Sequence, residues 1–423
     1  MRVVPLALLA TLLPGASGDE RPALALRART EFGRVELAAV PRLEDAAACQ
    51  QSQAAVLPLA SREEVPLVHY RKGFCSLAGA SLTGSAAQFA AAAGEFQKAI
   101  QAWPARAAAH SRDVPPEPVP SALPVLAAIA RLHANPSPAA MDAARRQIAD
   151  AEAAADCPAG AIPAAACRGW LATGRAWLGW MALGQENLDQ AARDFSAFAG
   201  SGWPVWISGL RAFREAKYSQ AETDYARALE AWRRAAREPA PSLDARLAPH
   251  PDMASALADL GGAELLAGHP ESAIATLDQA VNAAPAGARA LYLRARAREK
   301  AGAAEAALAD YNLASRTAFA QARDLASGEA HFYRGILLYR RKDYARAEDE
   351  FSSALNFEIP ASLRADAAAW RHLAAVAGGA CGISRQFLMR VLGSVSPYFP
   401  KEEAAALLSA CRAGGPAGAA PPK

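Results

Sequence analysis

Small and large apolar residues recur at regular positions in the second half of the chain. The first clear stretch has them at the offsets of two antiparallel helices: Leu257, Leu260, Gly261, Gly268, Ala273, Leu277, Ala280 and Pro285. These positions follow the helical period, and Gly268-His269-Pro270 between them is a turn signal. The pattern predicts a pair of helices that begins after Asp252.

The same pattern returns twice further along the chain. A uniform shift of thirty-four residues gives Leu291, Ala295, Gly302, Ala307, Tyr311 and Ala314. A further shift of forty gives Gly335, Leu338, Tyr344, Ala347, Phe351 and Ala354. We expect the six additional residues of the last copy to lengthen the loop around 319–328.

Two clear copies and one weaker copy precede these. The clear ones contain Gly209, Tyr218, Ala221, Tyr225 and Ala228, and before them Leu178, Gly179, Ala182, Ala191 and Phe195. The weaker copy contains Phe89, Ala92, Phe96, Ala99, Ile100 and Pro104. The interval before the copy at Ala273 is too long for one repeat, which predicts a proline-rich inserted loop or short helix between Arg237 and Met253.

This unit resembles the tetratricopeptide repeat, a helix-turn-helix of thirty-four residues. In this unit the first helix, helix A, has a small residue in its middle, and the turn has a glycine. The second helix, helix B, has an alanine, then a large residue, then another alanine. Alanine or glycine at the crossing lets the two helices approach closely, while the larger residue fills the space to the next repeat. The resemblance implies an all-α fold, a superhelical solenoid of antiparallel helix pairs.

The repeats divide the chain into segments. We expect a signal peptide at 1–18, a segment without clear repeat at 19–66, and a divergent repeat at 67–104. A proline-rich linker and a degenerate helix pair should occupy 105–166, and about five repeats 167–360. Atypical helices at 361–412 should cap the array, because terminal repeats must cover the last apolar face. A disordered tail is expected at 413–423.

The N-terminus predicts export. Arg2 precedes an apolar run from Val3 to Leu13, and small residues precede Asp19, which is the order of a cleavable signal peptide. The run is too short to span a membrane, since a spanning helix needs about 20 residues. We expect cleavage after Gly18 and a mature protein in the periplasm or outside the cell.

Export changes how the six cysteines are interpreted, because disulfides form in oxidising compartments. Six cysteines allow 15 pairings, and sequence alone does not choose among them. They nevertheless form three local couples, and we predict bridges between them: Cys49 with Cys75, Cys157 with Cys167, and Cys381 with Cys411. Metal binding is not expected, since no couple has zinc-type spacing or a neighbouring histidine.

Composition and motifs argue against nucleic-acid binding and catalysis. Forty-five basic and 42 acidic residues are interspersed, which gives a net charge of only +3 and no phosphate-tracking face. The seven histidines are scattered, and His-Glu-x-x-His, Gly-x-Ser-x-Gly and phosphate-binding glycine motifs are absent. We therefore predict no enzyme activity and no cofactor.

The resemblance also implies a binding groove along the A helices. The groove-facing offsets select Trp206, Phe213, Arg214, Arg289, Tyr292, Arg296, Lys300, Phe332, Tyr339 and Arg340, together with Leu210 and Ile336. Arginine and lysine bind carboxylates while the aromatic residues bury apolar side chains, so the groove suits a protein or peptide partner, including an acidic one. The alternative is structural: the aromatic residues would pack against the next helix and the arginines would be solvated surface.

Three classes of function follow from these features. The favoured one is an exported scaffold that mediates protein–protein interaction in the cell envelope, without stable membrane insertion. The alternative is a helical protein of the envelope that handles a solute or polysaccharide, which would favour aromatic platforms with few central charges. A catalytic site within 19–155 is the third, and no recognisable constellation supports it.

Overall fold

The computed structural model describes residues 20–36, 41–107, 120–153, 157, 164–196, 201–238, 242–320, 324–357, 359–393, 395–396 and 399–412. The predicted signal peptide, the C-terminal tail and most of the proline-rich linker lie outside these residues. Within the described ranges the chain forms α-helices, one short 3-10 helix and no strand, which confirms the predicted all-α class.

The helices divide between two compact units. Unit 1 comprises the described residues of Met1–Ile207 and Ala231–His250, and unit 2 those of Ser208–Glu230 and Pro251–Lys423. Eight helices lie wholly in the first part of unit 1: α1 Glu20–Glu36, α2 Leu43–Val56, α3 Val65–Thr83, α4 Ala86–Ala107, α5 Ala122–Ala134, α6 Pro138–Ala153, α7 Ala164–Gly184 and α8 Leu188–Phe195, with the 3-10 helix Leu57–Leu59 after α2. Two helices contribute to both units, α9 Trp203–Arg214 and α10 Tyr218–Arg237, and the short α11 Leu243–Arg246 returns to unit 1.

Unit 2 continues as alternating A and B helices. They are α12 Met253–Ala267, α13 Pro270–Ala283, α14 Ala288–Lys300, α15 Ala304–Ala320, α16 Asp324–Arg340, α17 Tyr344–Leu355, α18 Ala361–Ala377, α19 Gly382–Val391 and α20 Lys401–Arg412. The turns are those that the repeat pattern requires. For example, α12 ends at Gly268, whose φ of 95° is left-handed, and Pro270 opens α13.

One contact recurs in every clear repeat. Helix A carries a glycine or alanine, and sixteen residues later helix B carries a large side chain against it. A Cβ atom on Gly335 would lie 2.8 Å from the Phe351 ring, and one on Gly209 2.6 Å from the Tyr225 ring. Gly179 with Phe195 and Gly261 with Leu277 repeat the arrangement, and the buried pair of Ala295 and Tyr311 is its alanine form. This crossing sets how closely the two helices of a repeat approach.

The divergent repeat in unit 1 keeps the crossing but lengthens both helices. A Cβ atom on Gly73 of α3 would lie 2.9 Å from the Phe96 ring of α4, and here the two residues are twenty-three apart. Seven additional residues are about two helical turns, so about one turn added to each helix preserves the contact. The helices on either side of the Gly84 turn are therefore longer than those of a regular repeat.

The prediction of a lengthened loop at 319–328 is wrong for most of these residues. Helix α15 extends to Ala320 and α16 begins at Asp324, so the six additional residues of this repeat mostly lengthen the helices. A physical reason is that nothing in 314–320 breaks a helix: Ser315-Arg316-Thr317-Ala318 carries neither glycine nor proline. Residues 321–323, between the two helices, lie outside the described residues.

The three cysteine couples lie where a disulfide can join them. The Cα atoms are 5.9 Å apart for Cys49 and Cys75, 5.8 Å for Cys157 and Cys167, and 5.7 Å for Cys381 and Cys411. These separations fall within the range of bonded cysteines, and each pair is joined in the structure. The first bridge links α2 to α3, and the third links the start of α19 to the end of α20.

A buried carboxylate joins α3 and α4. Glu95 accepts hydrogen bonds from His69 Nδ1 at 2.6 Å, Lys98 Nζ at 3.0 Å and Lys72 Nζ at 3.2 Å. Burial by itself would raise the pKa of Glu95, but the hydrogen bonds from these three donors outweigh it, so the pKa lies below its ordinary value. The charged form of Glu95 therefore stabilises the folded protein.

Replacing Gly335 by alanine is expected to destabilise the protein by about 1–3 kcal/mol, because the new Cβ would overlap the Phe351 ring. Gly94 in α4 is the matched control: a Cβ there meets nothing within 4 Å, so Gly94→Ala should stabilise by about 0.5–1 kcal/mol. Urea unfolding followed by circular dichroism measures both. Equal effects of the two substitutions would contradict the proposed role of the crossing.

Replacing Glu95 by glutamine should lower the free energy of unfolding at neutral pH by about 2 kcal/mol, because a neutral amide would face three donors. Since the pKa of Glu95 is lower in the folded state, its contribution is present above the unfolded-state pKa and is lost as the pH falls through the folded-state pKa. The difference between wild type and Glu95→Gln in urea should therefore shrink below about pH 4. The exposed Glu44→Gln is the control, and a difference that stays constant with pH would refute the assignment.

Candidate functional site

The A helices of unit 2 present equivalent residues on one side, which we call the A-helix face. On α14 these are Tyr292 and Arg296, and a shift of forty gives Phe332 and Ile336 on α16. A further shift of thirty-four gives Asp366 and Trp370 on α18, a helix in which the sequence predicted only an atypical cap. The repeat pattern of helix A therefore continues one helix further than expected.

A cleft of about 380 Å³ opens on this face between α14, α16 and α18. Its apolar lining residues are Phe332, Tyr333, Ile336, Leu363 and Trp370, and its polar ones are Arg296, Glu299, Arg340, Asp366 and Ser396. An apolar lining with a few polar groups at defined positions is the usual composition of a ligand site. It brings together four of the predicted groove residues: Arg296, Phe332, Ile336 and Arg340.

Arg296 is built into the wall of the cleft. Its guanidinium lies 3.8 Å from the centroid of the Tyr333 ring, and its Nη1 donates a hydrogen bond of 3.3 Å to Tyr292 Oη. A cation over an aromatic face is attracted by the ring quadrupole, more strongly when it is desolvated. Burial raises the pKa of the nearby Glu329, against the opposing effect of Arg296. Arg296 therefore acts first as a packing element and keeps little freedom to grip a ligand.

The charges at the rim of the cleft are balanced. Arg340 Nη1 donates to Glu299 Oε1 at 2.9 Å, and Tyr311 Oη donates to Glu299 Oε2 at 2.8 Å. The side chain of Arg340 is 63% exposed, so it remains accessible to a partner although it is paired. Two arginines face two carboxylates, Glu299 and Asp366, so the cleft carries charges of both signs, and an acidic partner stays a prediction.

The remaining predicted groove residues of unit 2 lie outside the cleft. Tyr339 is buried, packs edge-on against Trp370 and donates a hydrogen bond of 2.8 Å to Glu403 of α20. Arg289 is paired with Asp259, Phe213 is half-buried against Tyr218, and Arg214 and Lys300 are exposed. The role of these residues in binding stays a prediction.

In unit 1 the chain's own insertion fills the A-helix face. The main-chain carbonyl of Asp244 accepts from Thr173 Oγ1 at 3.1 Å, that of Leu247 from Trp177 Nε1 at 2.9 Å, and that of Pro249 from Trp203 Nε1 at 3.3 Å. Leu243 and Leu247 are buried in the core of unit 1. The stretch predicted between Arg237 and Met253 thus contains a short helix, Leu243–Arg246, followed by residues without regular secondary structure, and it is docked on α7 and α9.

Trp206, the predicted groove residue of unit 1, is 6% exposed. Its ring lies 5.2 Å from that of Trp232, which also contacts Trp203 at 5.1 Å. Aromatic pairs of this kind stabilise a core beyond their buried area. The structural alternative therefore describes Trp206 better than a binding role does.

Sequence reasoning missed six residues of the cleft: Glu299, Tyr333, Leu363, Asp366, Trp370 and Ser396. Glu299 lies forty residues before Tyr339, so the shift that selected Tyr339 could have found it. Asp366 and Trp370 lie thirty-four residues after Phe332 and Ile336, which is the regular repeat period. Ser396 comes from an irregular segment, and no repeat signal indicates it.

A buried histidine, His372, lies in α18. His372 is buried beside Arg371, and burial first and the Arg371 charge second lower its pKa to about 4. Its Nε2 accepts a hydrogen bond from Arg371, which leaves Nδ1 to donate to Ser384 Oγ at 3.1 Å, so the ring does not act as a base toward that hydroxyl.

No group of three metal-ligating side chains occurs in the described part of the chain. None of its helices combines the length and the apolarity needed to cross a bilayer.

Comparison with known proteins gives only distant structural similarity. No family model matches the chain, and no curated protein matches it. Among solved structures, a MamA fragment from Desulfovibrio magneticus is 19% identical, with a TM-score of 0.34, over 44% of this chain and 94% of its own. YrrB, described as a TPR protein with an unusual peptide-binding site, is 13% identical, with a TM-score of 0.33, over 44% and 86%. A Rap protein complexed with competence and sporulation factor is 12% identical, with a TM-score of 0.41, over 83% and 97%.

The classification rests on the chain's own geometry. Antiparallel helix pairs recur with the small-to-large crossing at a constant spacing of sixteen residues, and equivalent residues of successive A helices share one face. These are the features of a helical-repeat protein of the tetratricopeptide type.

Proposed function

We propose that this chain is an exported protein-interaction scaffold without catalytic activity, which binds an extended segment of a partner protein in the cleft between α14, α16 and α18. The observation that supports this most is the combination, in one cleft, of an apolar lining with accessible charges of both signs. Apolar side chains of a partner would bury against Phe332, Ile336 and Leu363, and its polar groups would meet Arg340 and Asp366. Repeat arrays of this kind use such surfaces for extended segments.

The partner segment is proposed to be mainly apolar, with charges of either sign. An acidic partner remains compatible with the exposed Lys300 and Arg340, but Arg340 and Arg289 are already paired with carboxylates. A bound acidic group must compete with these ion pairs. Salt dependence of binding would separate the two possibilities, because screening weakens exposed charge pairs.

The polysaccharide alternative is less well supported. Sugar rings stack on open aromatic faces, whereas the Tyr333 face is covered by Arg296 and the Trp370 ring contacts Tyr339, Phe351 and Phe399. The central charge of Arg296 also departs from the uncharged platform that this alternative requires.

Replacing Leu363 by arginine should weaken partner binding at least tenfold, because a charged side chain would fill the apolar part of the cleft. Leu363 is half-buried, so the substitution is tolerable for folding. The matched control is Leu313→Arg on the B helix α15, where the leucine is 46% exposed and lies outside the cleft. This control should change affinity by less than about twofold.

The measurement uses the full chain as bait in envelope extract, then titration of the captured partner by calorimetry. A photo-crosslinking residue at position 363 identifies the partner segment in contact. If Leu363→Arg binds the partner as tightly as Leu313→Arg does, the cleft is not the binding site. The same follows if the photo-crosslinking residue at position 363 captures no segment of the partner. Recovery of a polysaccharide in place of a protein would support the alternative.

Export predicts a defined mature product. Support comes from the order of charge, apolar run and small residues at the N-terminus and from three cysteine pairs at bonding distance. Mass spectrometry of non-reduced protein from the native host should find a chain that begins at Asp19 and has no free thiol. An intact N-terminus or alkylated cysteines would contradict this.

A further inference from the structure

The chain after α19 folds back onto the A-helix face of unit 2. The main-chain N–H of Ser396 donates to Asp366 Oδ1 at 2.9 Å, and the Phe399 ring lies edge-on to Trp370 with centroids 5.4 Å apart. Asp366 and Trp370 occupy the same repeat positions as the cleft residues Phe332 and Ile336. The contacts that a bound segment would make at α18 are therefore made by the protein itself.

This segment also reaches a helix that an ordinary cap would not touch. Glu403, at the start of α20, accepts the 2.8 Å hydrogen bond from Tyr339 Oη, and Tyr339 belongs to α16. A helix that only extended the stack would pack against α18 and α19, its immediate predecessors. Contact with α16 indicates that the segment lies across the A-helix face.

Fewer side chains are buried in this segment than in helix α18 beneath it, and the buried ones join the same apolar cluster as Trp370. Among the described side chains of α20, only Ala404 and Leu408 are buried, with Val395 and Phe399 buried just before the helix. Helix α18 buries eight residues. Few buried apolar contacts are typical of a segment that opens at low free energy.

A covalent link compensates for the small number of buried side chains. Cys411, near the end of α20, is joined to Cys381 at the start of α19. Docking of the segment is already intramolecular, and a second link to α19 restricts the free chain further, which raises the effective concentration of the segment at its site. Both cysteines are partly exposed, so a thiol in solution can reach the bond.

We infer that residues 395–396 and 399–411 form an autoinhibitory strap, which occupies the A-helix face at α16 and α18 and is held there by the Cys381–Cys411 bond. A dithiol that attacks this bond is oxidised to its own disulfide, and its two electrons and two protons convert the bond into two thiols. The strap then detaches and frees Asp366 Oδ1, the part of the Trp370 ring that Phe399 contacts, and the Tyr339 hydroxyl, which widens the cleft at its α18 side. The inference rests on the proposed function only in treating the uncovered face as binding surface.

The test measures strap release without any partner. Amide hydrogen exchange is followed in full-length wild type and in Cys381→Ser/Cys411→Ser, with Cys157→Ser/Cys167→Ser as the control that removes a bond elsewhere. In the first variant the exchange rates of amides in 401–411 should rise at least tenfold, while those of α18 stay unchanged. The control should leave 401–411 unchanged. Hydroxyl-radical labelling of Trp370 and Tyr339 should increase in parallel.

Two results would overturn the inference. Unchanged exchange in 401–411 would mean that packing alone holds the segment, and joint loss of protection in 401–411 and α18 would mean that it is a structural cap. Wild-type protein treated with dithiothreitol repeats the measurement on a chain that has already folded, so a folding defect of the variant does not decide the outcome. If the strap is not released, the proposed function is unaffected, because the Leu363→Arg experiment tests partner binding in the cleft that is already open.

Discussion

The close crossing of the two helices in each repeat determines most of this structure. Glycine inside a helix costs about 1 kcal/mol relative to alanine, so its recurrence at Gly179, Gly209, Gly261 and Gly335 requires compensation. Each of these glycines faces a large buried side chain, and burying such a side chain contributes about 1.5–3 kcal/mol. The exchange is favourable only while the helices remain in close contact, and the partners are sixteen residues apart in every clear repeat.

The crossing also decides which residues face the cleft. It fixes the rotation of helix A about its axis, so the positions three residues before and one residue after the small residue point to the same side in every repeat. Tyr292 and Arg296 stand in this relation to Ala295, and Phe332 and Ile336 to Gly335. Asp366 and Trp370 stand in the same relation to Ala369, which is fully buried. The cleft is therefore a consequence of the packing that builds the repeats.

This dependence explains what the sequence could and could not predict. The repeats are local, so their period predicted the helix pairs, and the A positions follow by a constant shift. Helix α18 was predicted only as part of an atypical cap, because Cys381 stands where the pattern has a turn residue, so its A-helix positions were not recognised. The balance of charge was missed for another reason: whether Arg340 is free or paired with Glu299 depends on two helices in different repeats, and a one-dimensional pattern does not contain that distance.

The two segments that return to an A-helix face differ in how they are held. The insertion of unit 1 has three main-chain carbonyls that accept from side-chain donors and two leucines in the core, so it is an integral part of that unit. The segment at 395–396 and 399–411 also contributes buried side chains to a core, namely Val395, Phe399, Ala404 and Leu408, but it has only one main-chain hydrogen bond, to Asp366, and one side-chain bond, to Tyr339, and it is held by a covalent link. Neither docking follows from the repeat period, because each depends on a return of the chain over many residues. In a solenoid the crossing of helix A with helix B leaves the A-helix face free to bind another segment. In this protein the non-repetitive segments determine how much of that face remains exposed.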